Sequence, residues 1–157
     1  MSVTIHTTNG DIKIELFCDE CKDACLNFLA LCAKGYYNGC QFHRTIPQYI
    51  IQTGDPSLRG DGGETFNGEN CVFEPLGDFQ TAGYVGYADE NYFRSQFFIT
   101  AIPAPELSGK YLAFGKVIHG LNNVISISRL PCFEDFSPMI PVIITKVTIH
   151  ANPLAEE

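Results

Sequence analysis

The sequence predicts a mainly β fold, a closed eight-stranded antiparallel barrel capped by two α-helices. The 157 residues include 14 Gly and 9 Pro, which suits a fold rich in turns. About eight short runs rich in Ile, Val, Thr, Tyr and Phe are separated by turn signals, whereas only two segments have helical spacing. Short strands in that number favour a closed barrel, and one early and one late helix fit its two open ends.

The N-terminal elements are predicted to be a hairpin and a helix. Apolar and polar residues alternate over residues 3–5 and 12–16, on either side of the turn signal Thr8-Asn9-Gly10. Residues 21–34 have helical periodicity, and Gly35 is expected to end that helix. The predicted buried face of the helix consists of Ala24, Cys25, Phe28, Leu29 and Cys32.

The remaining elements follow in order along the chain. Strands are predicted at residues 41–46, 49–53, 84–87, 96–100, 112–118 and 142–149. A glycine-rich loop over residues 54–68 interrupts the series. The second helix is predicted over residues 121–129, since Pro131 cannot continue it.

Composition limits the class of protein. With 45% hydrophobic and 18% charged residues, the chain is expected to fold as one globular domain over residues 1–157. The formal net charge of −8 would repel a phosphate backbone, which disfavours direct nucleic-acid binding. No apolar run reaches the roughly 20 residues that span a bilayer, and no signal peptide precedes the first strand. A cytoplasmic or nuclear location without membrane contact is therefore expected.

The cysteines predict free thiols and no metal site. Their odd number is typical of a reducing compartment, where disulfides are rare. Cys18 and Cys21 have zinc-like spacing, but no second Cys or His pair follows at a suitable distance. The seven are Cys18, Cys21, Cys25, Cys32, Cys40, Cys71 and Cys132.

Three predicted strand segments each combine polar donors with apolar surface: residues 42–44, 52–55 and 95–99. Alternation along a strand would point Phe42 and Arg44 to the same face of their strand, and Gln96 and Phe98 to the same face of theirs. Together these residues would form a shallow groove with an apolar pocket and fixed donors. From spacing alone the evidence is weak, because an Arg–Gln pair on a strand face is usually just solvated.

Several ordered blocks nevertheless resemble one family, the cyclophilins, which are peptidyl-prolyl cis-trans isomerases. The resemblance extends from Met1 to about Ala151 and, in finer features, is greatest to a branch of small single-domain members associated with the spliceosome. It implies the same barrel with two capping helices. The blocks are Phe42-His43-Arg44-Thr45-Ile46-Pro47, Gln52-Thr53-Gly54-Asp55, Gly62-Gly63, Gly68-Glu69, Ser95-Gln96-Phe97-Phe98-Ile99-Thr100 and Phe114-Gly115-Lys116-Val117.

The resemblance also implies roles for individual residues. Arg44 matches the catalytic donor, Gln52 the residue that holds the substrate backbone, and Phe98 the floor of the proline pocket. His43 is interpreted as a structural histidine with satisfied hydrogen bonds. Further substrate-binding positions are Phe42, Tyr49, Ile50, Ala88, Asp89, Gln96, Glu106, Leu107 and Tyr111.

The implied reaction needs no cofactor. Rotation about an X-Pro bond faces a barrier of about 18–20 kcal/mol, because the nitrogen lone pair is delocalised into the carbonyl. A guanidinium can donate to the prolyl nitrogen as the nitrogen becomes pyramidal, an interaction that is strongest in the twisted state. No nucleophile, metal or proton relay is required.

The sequence departs from the family pattern mainly at the rim of the expected groove. Tyr49 and Ile50 stand where the family has Phe and Met, and both keep apolar contact. The family's Asn is Asp89, a common Trp is Glu106, and the loop at 89–94 is two residues short. Weak binding of the family's inhibitor cyclosporin is therefore expected.

Three functional readings stay open at this point. The first is an isomerase, expected to be a monomer, that acts on proline-containing peptides or proteins during folding or conformational switching, including spliceosomal ones. The second is a proline-peptide binding subunit of a splicing complex with weak or no catalysis. The third is a thiol- or zinc-based protein, which only the cysteines favour.

Overall fold

The computed structural model describes residues 1–68, 71–72, 77–90 and 92–150, with the backbone alone at 71–72. Glu69, the Cys71 side chain and the predicted domain end at 151–157 lie outside the described residues. The helices are α1 (Lys22–Ala33), α2 (Leu121–Ser128) and a 3₁₀ turn (Pro105–Leu107). The strands are β1 (Ser2–Thr7), β2 (Gly10–Leu16), β3 (Arg44–Ile46), β4 (Ile50–Thr53), β5 (Cys71–Val72), β6 (Tyr84–Tyr87), β7 (Tyr92–Phe93), β8 (Phe97–Thr100), β9 (Ala113–His119) and β10 (Ile144–His150).

The main sheet confirms a mainly β fold with two helices. Eight strands form one curled antiparallel sheet in the order β10-β1-β2-β9-β6-β8-β4-β3. The short strands β5 and β7 form a separate pair. Because β6, β8, β4 and β3 are neighbours, residues far apart in the chain meet on one face of this sheet.

The closure of the barrel differs from the prediction, because the outer strands β10 and β3 do not pair along their length. Contact between the two edges is confined to segments 39–42 and 142–144, which share an isolated bridge between Gln41 and Ile143. The Gly39 amide donates to the Ile144 carbonyl at 2.7 Å, the Ile144 amide to the Cys40 carbonyl at 2.8 Å, and the Phe42 amide to the Val142 carbonyl at 3.0 Å. The Thr45 amide of β3 instead donates to the Phe136 carbonyl at 2.7 Å. The loop that carries Phe136 thus takes the place of a strand partner, and the sheet remains a half-barrel.

The core confirms the predicted helical face of α1 except at one position. Ala24, Cys25, Phe28 and Cys32 are buried, whereas Leu29 is only half-buried. The Phe28 ring meets Phe97 of β8 edge-on and Phe114 of β9 at a tilt, with centroids 5.3 Å and 5.1 Å apart. Such aromatic pairs stabilise packing beyond the area they bury. Helix α1 is thereby anchored against the inner side of the sheet.

The thiols provide a first prediction. Of the described cysteines, Cys18, Cys21, Cys25, Cys32, Cys40 and Cys132 are all free. Burial raises the pKa of four of them, that of Cys40 to about 11, so these thiols are protonated and unreactive at neutral pH. A thiol reagent should react first with the half-buried Cys18 and Cys132, and denaturant should release seven thiols in total. Five or fewer thiols in fresh protein purified without reductant would contradict this account.

Candidate active site

The site is built on a row of residues that crosses four neighbouring strands. In the ladders, Arg44 of β3 lies opposite Gln52 of β4, Gln52 opposite Phe98 of β8, and Phe98 opposite Gly86 of β6. Directly opposed residues in antiparallel strands point to the same face of the sheet. The register therefore brings a guanidinium, an amide and an aromatic ring together.

A cavity of about 220 Å³ lies over this row. Eight of the twelve residues predicted for the site line it, and Ile46 is a lining residue that the sequence reasoning missed. Phe42, Asp89, Gln96 and Glu106 do not line the cavity. Its walls are formed by Arg44, Ile46, Tyr49, Ile50, Gln52, Ala88, Phe98, Leu107 and Tyr111.

The apolar part of the cavity is a small aromatic cluster around Phe98. Its ring lies 5.5 Å from that of Phe79 and 5.4 Å from that of Tyr111, the latter at 81°. Gly86 makes room for this cluster, since a Cβ there would lie 2.8 Å from Phe98 Cζ and 3.0 Å from Phe79 Cζ. Sequence reasoning missed both Phe79 and Gly86, whose contacts depend on the pairing of β6 with β8.

The polar part of the cavity contains one unpaired donor group and one oriented amide. Among the described residues, nothing forms a hydrogen bond or ion pair with the exposed Arg44 guanidinium. Gln52 Nε2 donates to Gln96 Oε1 at 3.0 Å, and Gln96 Nε2 donates to the Gly62 carbonyl at 2.7 Å. Gln96 is only 2% exposed and lies behind Gln52, which makes it a positioning residue.

The loop that supplies the Gly62 carbonyl is organised by Asp55. The Asp55 carboxylate accepts hydrogen bonds from the Ser57 hydroxyl at 2.6 Å and from the amides of Ser57, Gly60 and Gly62 at 2.9, 2.7 and 3.0 Å. Burial alone would raise the pKa of Asp55, but these hydrogen bonds outweigh it and lower the pKa to about 2. The ionised carboxylate therefore fixes the loop, a role that the sequence reasoning did not assign.

The rim of the groove carries carboxylates that already have partners. Arg94 Nε and Nη2 donate to the two carboxylate oxygens of Asp89 at 3.3 and 3.4 Å. On the other side, the Tyr49 hydroxyl donates to Glu106 Oε2 at 3.2 Å. Asp89, which by resemblance stands where an asparagine would bind peptide, has both oxygens occupied within the loop by its ion pair with Arg94.

Two tyrosines at the edge of the cavity stay protonated. Burial is the main cause that raises the pKa of Tyr49 and of Tyr111, and the carboxylates of Glu106 and Glu90 respectively raise it further. Both phenols are therefore neutral near pH 7, and the single hydroxyl proton of Tyr49 is already engaged with Glu106. The edge of the groove thus presents neutral phenols beside two carboxylates.

Phe42 and His43 differ from their predicted settings. Phe42 is 1% exposed in the main core and precedes β3, so the assumed strand alternation with Arg44 does not reach it. Burial lowers the pKa of His43, and neither ring nitrogen has a hydrogen-bond partner among the described residues. The prediction of a satisfied histidine is therefore wrong; the ring instead lines a small cavity together with Leu58, Ser137 and Pro138.

Comparisons with known proteins agree with this geometry. A family model described as cyclophilin type peptidyl-prolyl cis-trans isomerase/CLD matches residues 2–149. The chain is 47% identical to peptidyl-prolyl cis-trans isomerase 10 of Caenorhabditis elegans, over 100% of both chains. It is 46% identical to peptidyl-prolyl cis-trans isomerase-like 3 of Homo sapiens, over 99% of this chain and 100% of that one. A cyclophilin-type isomerase of Cryptosporidium parvum, crystallised in the presence of the dipeptide Ala-Pro, superposes with a TM-score of 0.92 at 39% identity, covering 97% and 100% of the two chains.

Proposed function

The chain belongs to the cyclophilin-type peptidyl-prolyl cis-trans isomerases, and from that membership we propose that the groove over Arg44, Gln52 and Phe98 is where it isomerises X-Pro bonds. The observation that carries the proposal is the cross-strand row, which sets the unpaired Arg44 guanidinium beside an apolar pocket lined by Phe98. A proline ring needs such a pocket, and its nitrogen needs a donor nearby.

The three residues divide the work between binding and transition-state stabilisation. Phe98 receives the pyrrolidine ring, and the oriented Gln52 amide bonds the substrate backbone. Arg44 then donates to the prolyl nitrogen as rotation localises the lone pair there. Reducing a turnover time of roughly 10–100 s to milliseconds requires a barrier lower by about 5–6 kcal/mol, and no covalent bond forms or breaks.

The proposed groove contains the Arg44 donor and is bordered by carboxylates, here called the acidic edge. This arrangement predicts selectivity for the charge of the peptide substrate. Glu64 and Glu90 are exposed, whereas Asp89 is paired with Arg94 and Glu69 lies outside the described residues. By resemblance, Glu64 and Glu90 border the part of the groove that receives residues before the proline. Peptides with Lys or Arg before the X-Pro unit should therefore be isomerised about 2- to 5-fold faster than matched Glu peptides, and salt should reduce the difference.

Kinetics on matched Lys and Glu peptides at two ionic strengths measure this preference. The variant Glu90→Gln should reduce it, and Asp23→Asn, a neutralisation on the exposed start of α1, should leave it unchanged. Equal rates that do not respond to salt would contradict the proposed role of the acidic edge.

The cellular role extends the same proposal. The similarity to relatives named peptidyl-prolyl cis-trans isomerase-like 3 supports placement in the small single-domain branch that the sequence resembles. We infer that the clients are proline-containing proteins of a nuclear splicing complex, which the isomerase folds or switches. The rim of the groove differs from the family pattern, and its residues Asp89 and Glu106 are engaged in hydrogen bonds. This altered rim also favours a contribution from client binding itself. Among the described residues, no helix is long and apolar enough to span a membrane.

The location of the groove is tested by amide chemical shifts of the labelled full chain. A short peptide that contains Ala-Pro should shift the signals of Gln52, Phe98 and their strand neighbours. A matched Ala-Ala peptide should leave these signals unchanged, since only a proline ring fills the pocket. Shifts that map to another face of the sheet, or equal shifts with both peptides, would contradict the proposed site.

A further inference from the structure

A second cavity lies outside the groove, between the start of α1 and strands β6 and β9. It measures about 270 Å³, against about 220 Å³ for the groove. The two cavities share no lining residue. Tyr84 lines the second cavity and lies 6.2 Å from Phe79, which in turn lies 5.5 Å from Phe98 in the groove. Aromatic rings thus separate the two spaces, so both can be occupied at once.

The walls of the second cavity are aromatic and apolar. Phe17 and Tyr84 have ring centroids 6.3 Å apart at 58°, and Ala113 of β9 is buried beside them. Gly77, with a φ of +84°, brings its backbone against this wall, since a Cβ there would lie 2.9 Å from Ala113 Cβ. Because Gly77 has no side chain, its backbone can approach this wall while the cavity stays open.

Two carboxylates without a cation belong to the same cavity. Glu20 and Asp78 are exposed lining residues, and neither forms an ion pair or hydrogen bond with another described residue. Lys116 Nζ lies 5.4 Å from the Tyr84 ring centroid, but it does not line the cavity and forms no ion pair with either carboxylate. Both carboxylates of the lining therefore remain without an ion-pair partner among the described residues.

The thiol in the wall does not alter this charge. Cys21 Sγ lies 3.6 Å from the Ala113 carbonyl, to which it donates, and burial followed by the nearby Glu20 raises its pKa. The thiol is therefore neutral at physiological pH. Apart from Glu20 and Asp78, the lining residues carry no charge, namely Phe17, Cys21, Gly77, Tyr84 and Ala113.

From this combination we propose that the second cavity is a docking site for an arginine side chain from a basic segment of a partner protein. A guanidinium is planar and weakly hydrated, it stacks on aromatic rings, and it forms paired hydrogen bonds with carboxylates. An ammonium is more strongly hydrated and loses more on entering an aromatic cavity. Arginine is therefore preferred over lysine at this site.

The test uses two proline-free peptides on the labelled full chain, acetyl-Gly-Ala-Arg-Ala-Gly-amide and the same peptide with citrulline. Citrulline keeps the shape of arginine and removes its charge. The arginine peptide should shift the amide signals of Phe17, Cys21 and Tyr84 and bind at least about 5-fold more tightly than the citrulline peptide. Absence of these shifts, equal affinity of both peptides, or shifts confined to the groove around Arg44 would overturn the proposal.

One double variant and one control variant distinguish this site from the isomerase groove. Glu20→Gln combined with Asp78→Asn should weaken the arginine peptide at least about 5-fold, while isomerisation of an X-Pro peptide stays at the wild-type rate. The matched control Asp23→Asn neutralises an exposed carboxylate that does not line the cavity, and it should change neither quantity. Unchanged binding in the double variant would overturn the proposal and would leave the isomerase assignment untouched.

Discussion

Arg44→Ala should lower kcat/KM for an X-Pro peptide by about 10²- to 10³-fold, the loss typical of removing a transition-state donor. No described residue forms a hydrogen bond or an ion pair with the guanidinium, so its donors are available to the substrate. The fall should be in kcat more than in KM, because the interaction is strongest in the twisted state. A kinetic assay of purified wild-type and variant protein measures it.

The fold should survive this substitution, since Arg44 is exposed and does not belong to the core. Thermal unfolding of the variant should therefore match that of the wild type. Arg59→Ala is the matched control, because Arg59 is a 73% exposed arginine of the neighbouring loop whose ion-pair partner among the described residues is Asp61. It should keep wild-type kinetics. Equal catalysis by wild type and Arg44→Ala would remove Arg44 from the mechanism.

Cyclosporin should bind weakly, and Glu106→Trp should tighten its binding by at least about 30-fold. By resemblance, Glu106 stands where sensitive family members carry a tryptophan, which offers a flat apolar surface and an N–H donor. Truncating an interface tryptophan commonly costs about 2 kcal/mol or more, which corresponds to that factor. Here the carboxylate is exposed on the 3₁₀ turn Pro105–Leu107, and it resists losing water to an apolar macrocycle.

Calorimetric titration of both proteins measures this effect. Glu106→Gln is the control, because it removes the charge without adding an indole, and it should recover only a small part of the gain. Peptide turnover should change little in either variant, since Glu106 does not line the groove cavity. Nanomolar affinity of the unmodified protein, or no gain in Glu106→Trp, would contradict this prediction.

The elements with strong local patterns could be predicted from the sequence. The hairpin β1–β2 and helix α1 have periodicities that end at clear turn signals, and the structure reproduces them within one or two residues. The pair β5–β7 was missed because two-residue strands carry no periodicity. The failure at Phe42 has a different cause, since the alternation was assumed to start at residue 41 while β3 begins at Arg44.

Much of the site depends on contacts that no local pattern encodes. The row through Arg44, Gln52 and Phe98 exists because β3, β4 and β8 pair in one register, and only the family resemblance indicated it in advance. The ion pair of Asp89 with Arg94 needs the particular path of a short loop. Phe79 reaches the pocket only because Gly86 leaves space for two rings.

Catalysis at this groove is tested most directly by exchange spectroscopy on a short X-Pro peptide with a substoichiometric amount of the full chain. Uncatalysed interconversion takes roughly 10–100 s, so any exchange cross-peaks that develop within a fraction of a second report the enzyme. We expect such cross-peaks with wild-type protein and their loss with Arg44→Ala. Peptide signals that shift on binding to the groove while cis-trans exchange stays at the uncatalysed rate would contradict the account and leave a proline-peptide binding subunit.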